Sequence, residues 1–256
     1  PPQVPPSIAN AFIALVPGVV LMLLAWSIRV LFDINFAQGV VNVISKIIPA
    51  ASSYPAAAFA ESVHAFLWTM GIHGDLTIGI VLQPIWLSNI AANAQAVAAG
   101  QPAPFIYSSE FRAAYVVPGG SGATLMLAIY LIRSKVARLR RVGWLGIWPG
   151  IFNINEPITF GTPVIFNPVM AIPFILITFL NVTFAWLMHT IGFVKPMFIA
   201  MPWTLPGPIL AFLQAGYSWQ AAVVNICTQF IIPGVIWYPA FKAWERMVIE
   251  KEGTGD

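Results

Sequence analysis

Asn153-Ile154-Asn155-Glu156-Pro157-Ile158-Thr159-Phe160-Gly161-Thr162-Pro163 decides how this chain is read. Glu156 is the sole acidic residue between Glu110 and Glu245, in sequence otherwise suited to lipid. An unpaired carboxylate is costly there, so one that persists faces a cavity, a partner or a ligand. Pro157 and Pro163 interrupt a helix, Gly161 permits unusual dihedrals, and Asn153 and Asn155 bring amide donors and acceptors. A broken backbone with hydrogen-bonding side chains, set in apolar sequence, predicts a binding site inside a membrane protein.

Composition supports the membrane. The chain has 256 residues, 59% hydrophobic and 8% charged, whereas soluble domains carry about 25% charged residues. The apolar runs are long and continuous rather than ten-residue alternating segments, so the protein is helical and not a barrel. The net charge of +3 is no nucleic-acid signal. Five of the twelve basic residues (Arg133, Lys135, Arg138, Arg140, Arg141) fall within nine positions after an apolar run, which marks a cytoplasmic loop under the positive-inside rule. Cys227 stands alone, so the sequence offers no disulfide frame or thiolate metal cluster. The opening Pro1-Pro2-Gln3-Val4-Pro5-Pro6 lacks an initiator Met and a signal-peptide n-region, and reads as the start of a fragment.

The expected architecture is all-α, with about five transmembrane helices plus re-entrant hairpins and an interfacial helix. The five spans are 8–32, 55–72, 113–132, 167–191 and 218–240, each set against a bilayer of about 30 Å at 1.5 Å per residue. Residues 33–54 read as an interfacial or connector segment. The 133–141 cluster and Lys242, Arg246 and Lys251 place both the end of the third span and the C-terminus in the cytoplasm; counting back, Arg29 and Lys46 agree. Three apolar stretches, 73–100, 144–166 and 196–213, are broken by Pro, Gly or Asn and are expected to be re-entrant. Non-helical backbone at membrane depth is tolerated only where it is buried in protein or lines a cavity, which is how transporters build midplane sites.

Polar and aromatic residues recur on these stretches: Trp68 to Asp75, Pro118 to Thr124, Glu156 with its flanks, and Met201 to Pro206. A carboxylate, an imidazole, backbone amides and tryptophan faces suit a sugar, whose hydroxyls need bidentate partners and whose C–H face stacks on an aromatic ring. Bland readings stand beside each. His73 also fits an interior histidine bonded to a carbonyl, and Glu156 a buried salt bridge to Lys195 or an arginine. His64 and His189 read as structural. Gly119-Gly120-Ser121-Gly122 lacks the Gly-Lys-Ser/Thr ending of a phosphate loop and also fits close helix packing. Trp144, Trp148, Trp237 and Trp244 read as anchors or packing residues.

Pro149 to Pro157, continued by Phe160 to Pro168, closely resembles the signature of phosphotransferase-system IIC sugar permeases of the lactose/cellobiose/chitobiose family. Gly71-Ile72-His73-Gly74, Gly119 to Leu125 and Pro202-Trp203-Thr204 match further blocks of that family in the same order. The resemblance covers residues 1–256 and implies the transport, or substrate-binding, domain of a longer permease, without the family's N-terminal helices. It also implies a bacterial plasma-membrane protein and a homodimer. Such a permease binds a β-linked disaccharide, moves it by an elevator-like displacement, and presents its C6 hydroxyl to the phosphocysteine of a cytoplasmic IIB partner, itself charged through IIA. It needs no cofactor or metal. Carried over by position, Glu156 would bond the C6 hydroxyl and act as the catalytic general base. His73 and Asn155 would bond other hydroxyls, the Gly120 backbone would line the site, and Trp68 and Trp203 would contact or stack on the rings. The rival readings are an ion-coupled secondary transporter without phosphorylation, a membrane enzyme using Glu156 and His73 as acid and base, and a structural scaffold.

Overall fold

A computed structural model describes residues 6–32 and 48–253. The chain divides into two units, Pro1–Ile47 and Ile48–Asp256. In the first, helix α1 runs over Pro6–Phe32 with Pro17 inside it and Arg29 in its last turn; its described part includes the apolar run Pro17–Leu31. The connector expected at 33–54 lies mostly outside the described residues.

Among its described residues the second unit contains helices and irregular connections and no strand. α2 (Tyr54–Thr69), α3 (Gly74–Ala98) and α4 (Ser109–Phe111, continued by a π-helical turn, Arg112–Val116) come first. α5 (Leu125–Ile132), α6 (Ala137–Ile151) and the short α7 (Glu156–Gly161) follow. α8 (Pro168–Thr190) and α9 (Gly207–Gln214) precede α10 (Trp219–Ile226), which passes through a second π-helical turn, Cys227–Ile231, into α11 (Ile232–Gly253). Gly74–Ala98, Pro168–Thr190 and Trp219–Lys251 are long and apolar enough to cross a membrane, by length and composition.

α8 is the central element. Asn167 caps it by accepting from Val169 N–H at 3.0 Å, and Pro168 starts it where no hydrogen-bond donor is needed. One end of α8 gives Met170, Phe174 and Ile177 to a core with Leu127, Leu131 and Trp237. The other gives Val182 and Ala185 to a core with Tyr107, Phe111 and Tyr115. α2, α11 and α4 all pack on it.

Two expected elements are corrected. The stretch 73–100 is one continuous 25-residue helix that carries Pro84 internally, and is not re-entrant. A proline this far from a helix end removes a single hydrogen bond and bends the helix without ending it. Conversely, 113–132 is no single span, because it breaks over 117–124 between α4 and α5. Val117 N–H closes the π turn on Arg112 O at 3.1 Å; Pro118 has no N–H to extend it, and Gly119, Gly120 and Gly122 adopt φ of +74°, +90° and +72°. The count of spans back to Arg29 therefore loses its basis. The breaks expected in 144–166 and 196–213 are present, between α6 and α7 and ahead of α9.

A buried ion cluster joins α2, α3 and α4. The Arg112 Nε–H donates to Glu61 Oε1 and Oε2 at 2.8 and 3.0 Å, and its terminal nitrogen lies 2.7 Å from Asp75 Oδ1. The Tyr107 hydroxyl donates to Glu61 at 2.7 Å, and the Arg112 guanidinium lies 5.2 Å from the Trp86 ring centre. His64 sits between the two acids, 3.6 Å from Glu61 and 3.2 Å from Asp75, and is fully buried. Gly74 brings α2 and α3 this close: a Cβ there would lie 2.2 Å from the His64 carbonyl oxygen and 2.9 Å from the Trp68 ring.

Two stability predictions follow from this packing, both read by thermal unfolding in detergent. Gly74→Ala pushes backbone against side chain and lowers stability by about 1–3 kcal/mol; an unchanged midpoint contradicts the packing. Arg112→Met strands two carboxylates and costs about 3–5 kcal/mol, whereas Arg112→Met with Glu61→Gln and Asp75→Asn costs less than Arg112→Met alone.

Candidate functional site

A cavity of about 420 Å³ opens beside this cluster. Its wall is built from the α2–α3 junction, the π turn and glycine-rich loop after α4, the turn before α7, and the irregular segment before α9. Trp68, His73, Gly120, Asn155, Glu156 and Trp203, six residues spread over more than 130 positions, all line it.

The α2–α3 junction supplies two of them. α2 ends at Thr69, and His73 is the N-cap of α3, its Nδ1 accepting from Leu76 N–H at 3.3 Å. With Nδ1 accepting, the ring hydrogen is assigned to Nε2, so the nitrogen left for a ligand is a donor. The His73 ring rests on Trp68, with centroids 4.4 Å apart and planes tilted by 47°. Trp68 is only 4% exposed and meets the cavity with little of its surface, so it supports His73 more than it offers a stacking face. Trp203, 55% exposed, does offer one.

The turn between α6 and α7 brings Asn155 and Glu156. Asn153, with φ of +66°, accepts from Gly119 N–H at 2.8 Å and donates to the Trp203 and Leu205 carbonyls at 2.6 and 2.8 Å. One side chain therefore ties the glycine loop to the Trp203 segment. Asn155 is buried and donates to Ser121 O and Thr124 Oγ1 at 2.7 and 2.9 Å. Both its amide hydrogens are committed, which leaves Oδ1 to accept from a ligand. The Asn155 amide lies against Gly120, where a Cβ would approach its Cγ to 2.3 Å, so only glycine fits.

Glu156 begins α7 and is exposed to the cavity. Among the described residues no ion pair to it is present, neither with Lys195 nor with an arginine. The one guanidinium in the cavity wall, Arg112, is engaged by Glu61 and Asp75. An acceptor (Glu156), a donor (His73), an amide oxygen (Asn155) and an open indole face (Trp203) surround one space, which suits a polyhydroxylated ligand.

Asp75, Arg112, Ser121, Gln83 and Asn153 also line the cavity; the sequence reading placed Asp75, Ser121 and Asn153 within its candidate stretches without assigning them a contact, and did not single out Arg112 or Gln83. The test that picked out Glu156, a charge in apolar sequence, picks out Asp75 and Arg112 when applied evenly. His64 is fully buried behind the wall and lies 3.3 Å from Ser121 Oγ. His189, mostly buried, has Nδ1 2.7 Å from Ala185 O, away from the cavity. Among the described residues no group of three or more His, Cys, Asp or Glu residues suits a metal ion.

A family profile described as "Phosphotransferase system, EIIC" matches residues 1–178. The chain is 36% identical over 261 residues to the putative permease IIC component YwbA of Bacillus subtilis (strain 168), covering 99% of this chain and 59% of that protein. It is 32% identical over 263 residues to the lactose-specific EIICB component of Streptococcus mutans serotype c, covering 100% of this chain and 46% of that protein. The crystal structure of the transporter ChbC, the IIC component from the N,N'-diacetylchitobiose-specific phosphotransferase system, superimposes with a TM-score of 0.82 at 32% identity, over 100% of this chain and 61% of that one. The chain thus spans roughly half to three-fifths of the proteins it matches, and on this profile, sequence and structural similarity it belongs to the phosphotransferase-system EIIC family.

Proposed function

We propose that this chain forms the substrate-binding part of a bacterial plasma-membrane permease that takes up a β-linked disaccharide and presents its C6 hydroxyl for phosphorylation. The observation that carries the reading is Glu156: an open carboxylate in a cavity where, among the described residues, the one lining arginine is already engaged by two other acids. A carboxylate open to a cavity has acceptor capacity to spare, and a sugar hydroxyl supplies the donor. Relatives named for lactose and N,N'-diacetylchitobiose support the substrate class, and the name EIICB, which joins the C and B components, supports a IIB partner.

In the proposed reaction the C6 oxygen attacks the phosphorus of a IIB phosphocysteine. The O–P bond forms as the P–S bond breaks, the thiolate leaves, and the hydroxyl proton passes to Glu156. Positioning dominates such a transfer, with one group to accept the proton. His73 donates through Nε2 to a sugar oxygen, Asn155 Oδ1 accepts from a hydroxyl, and Trp203 covers the C–H face. IIA recharges IIB, a homodimer anchors the unit, and an elevator-like displacement carries the sugar across. The C-terminus is assigned to the cytoplasm: α8 and the apolar first part of the span-length run Trp219–Lys251 separate the basic cluster 133–141 from Lys242, Arg246 and Lys251.

Binding of radiolabelled cellobiose, lactose and diacetylchitobiose to the purified chain tests the site. Glu156→Gln removes a charge-assisted hydrogen bond and weakens binding about 10–100-fold; unchanged affinity refutes the assignment. His73 separates into its two functions. His73→Asn keeps the cap on α3 and its stability but has no N–H reaching the position of Nε2, whereas His73→Gln keeps a distal N–H and costs about 0.5–2 kcal/mol of capping. In proteoliposomes supplied with phosphorylated IIB the product is sugar phosphate; accumulation of unmodified sugar driven by an ion gradient establishes the rival reading.

A further inference from the structure

Asp75 is the most connected acid in the cavity wall, and the proposed reaction gives it no part. Its Oδ2 accepts from Trp68 Nε1–H at 3.0 Å and from the Ser121 hydroxyl at 3.0 Å, while Oδ1 lies 2.7 Å from an Arg112 nitrogen. Its side chain is 32% exposed and reaches the cavity. A carboxylate whose oxygens already face an indole, a hydroxyl and a guanidinium has little capacity left for a ligand.

The sequence His73-Gly74-Asp75 explains how it gets there. Gly74 allows α3 to start against Trp68, so the residues on either side of it reach the same indole. His73 packs on the ring, and Asp75 bonds the ring nitrogen. The indole is thus fixed in its plane by one neighbour and supports the other. Trp68 is too buried to be a broad stacking surface, but a tilted Trp68 would tilt His73 with it. Asp75 also holds Ser121, whose carbonyl binds Asn155, so the same carboxylate reaches the opposite wall.

We propose that Asp75 is a positioning residue for the sugar site: by accepting from the Trp68 indole it sets the orientation of the His73 ring that packs on that indole. The proposal rests on the sugar reading above. It predicts that Asp75 acts on affinity through Trp68, with no direct contact to the sugar.

A double-mutant cycle on disaccharide binding tests it, with the full chain in detergent and each variant checked for monodispersity. Trp68→Phe keeps a ring beneath His73 but has no N–H to anchor. Asp75→Glu keeps a charge beside Arg112 but displaces the acceptor from Trp68; it weakens binding about tenfold in the native background and much less in Trp68→Phe, since the bond it breaks is already gone. In the coupled phosphorylation assay Asp75→Glu raises KM while kcat stays within about twofold, the pattern of lost binding without lost chemistry. Should Asp75→Glu not fold, Asp75→Ala, which has no acceptor at all, replaces it in the same cycle. Additive effects in the cycle, or a fall in kcat at constant KM, overturn the proposal while the sugar reading stands. If the native chain binds no disaccharide, both fall together.

Discussion

The Arg112 guanidinium, held between Glu61 and Asp75, is the constraint on which the described unit turns. A buried ion pair is an expensive way to join helices, since apolar residues of similar volume often do it at lower cost. What it adds here is direction. The Nε–H of Arg112 meets one acid and a terminal nitrogen the other, so α2, α3 and the π turn of α4 are fixed in relative rotation as well as in distance. The π turn is part of this arrangement: Arg112 is its first residue, and its hydrogen bond to Val117 leads directly into the glycine loop. Helix register and site geometry are therefore set by the same few contacts.

The apolar packing around the cluster is less selective. α8 divides its length between two cores, and the large side chains in them, Phe174 and Trp237 in one and Tyr107, Phe111 and Tyr115 in the other, meet mostly edge to face. Such packing specifies volume well and polar position poorly. Polar position comes from single side chains that bridge elements far apart in sequence. Trp237 Nε1–H donates to Gly122 O, Asn93 to Met197 O, and Asn225 to Ala114 O. Each closes a gap of about a hundred residues with one hydrogen bond.

The helical membrane class was legible because it rests on composition and run length, which any fold must obey. The cavity's lining could be read in part because glycine, proline and asparagine mark breaks locally: the positive φ at Asn153 and the break after Pro118 are short-range consequences of those residues. The misread elements share a cause. In 73–100 the punctuation is Gly74 and Pro84; Gly74 serves a close helix contact and Pro84 only bends the helix, and neither purpose shows in a one-dimensional pattern. In 113–132 hydrophobicity is continuous, so the break is hidden until the glycines are given their dihedrals. Asp75 and Arg112 escaped for another reason. Asp75 has no Lys, Arg, Asp or Glu near it along the chain and Arg112 has only Glu110, while the partners that give them meaning lie on other elements.

Asn153 and Asn155 have a consequence beyond holding their loops. The first joins the glycine loop to the Trp203 segment, the second joins that loop to the start of α7, and Ser121 links it to Asp75 on α3. The glycine loop is thus the hub from which hydrogen bonds run to three other parts of the cavity wall. It cannot move away from any of them without leaving a donor or acceptor unpaired. The groups that this loop and its partners present to a bound molecule are therefore set when the chain folds.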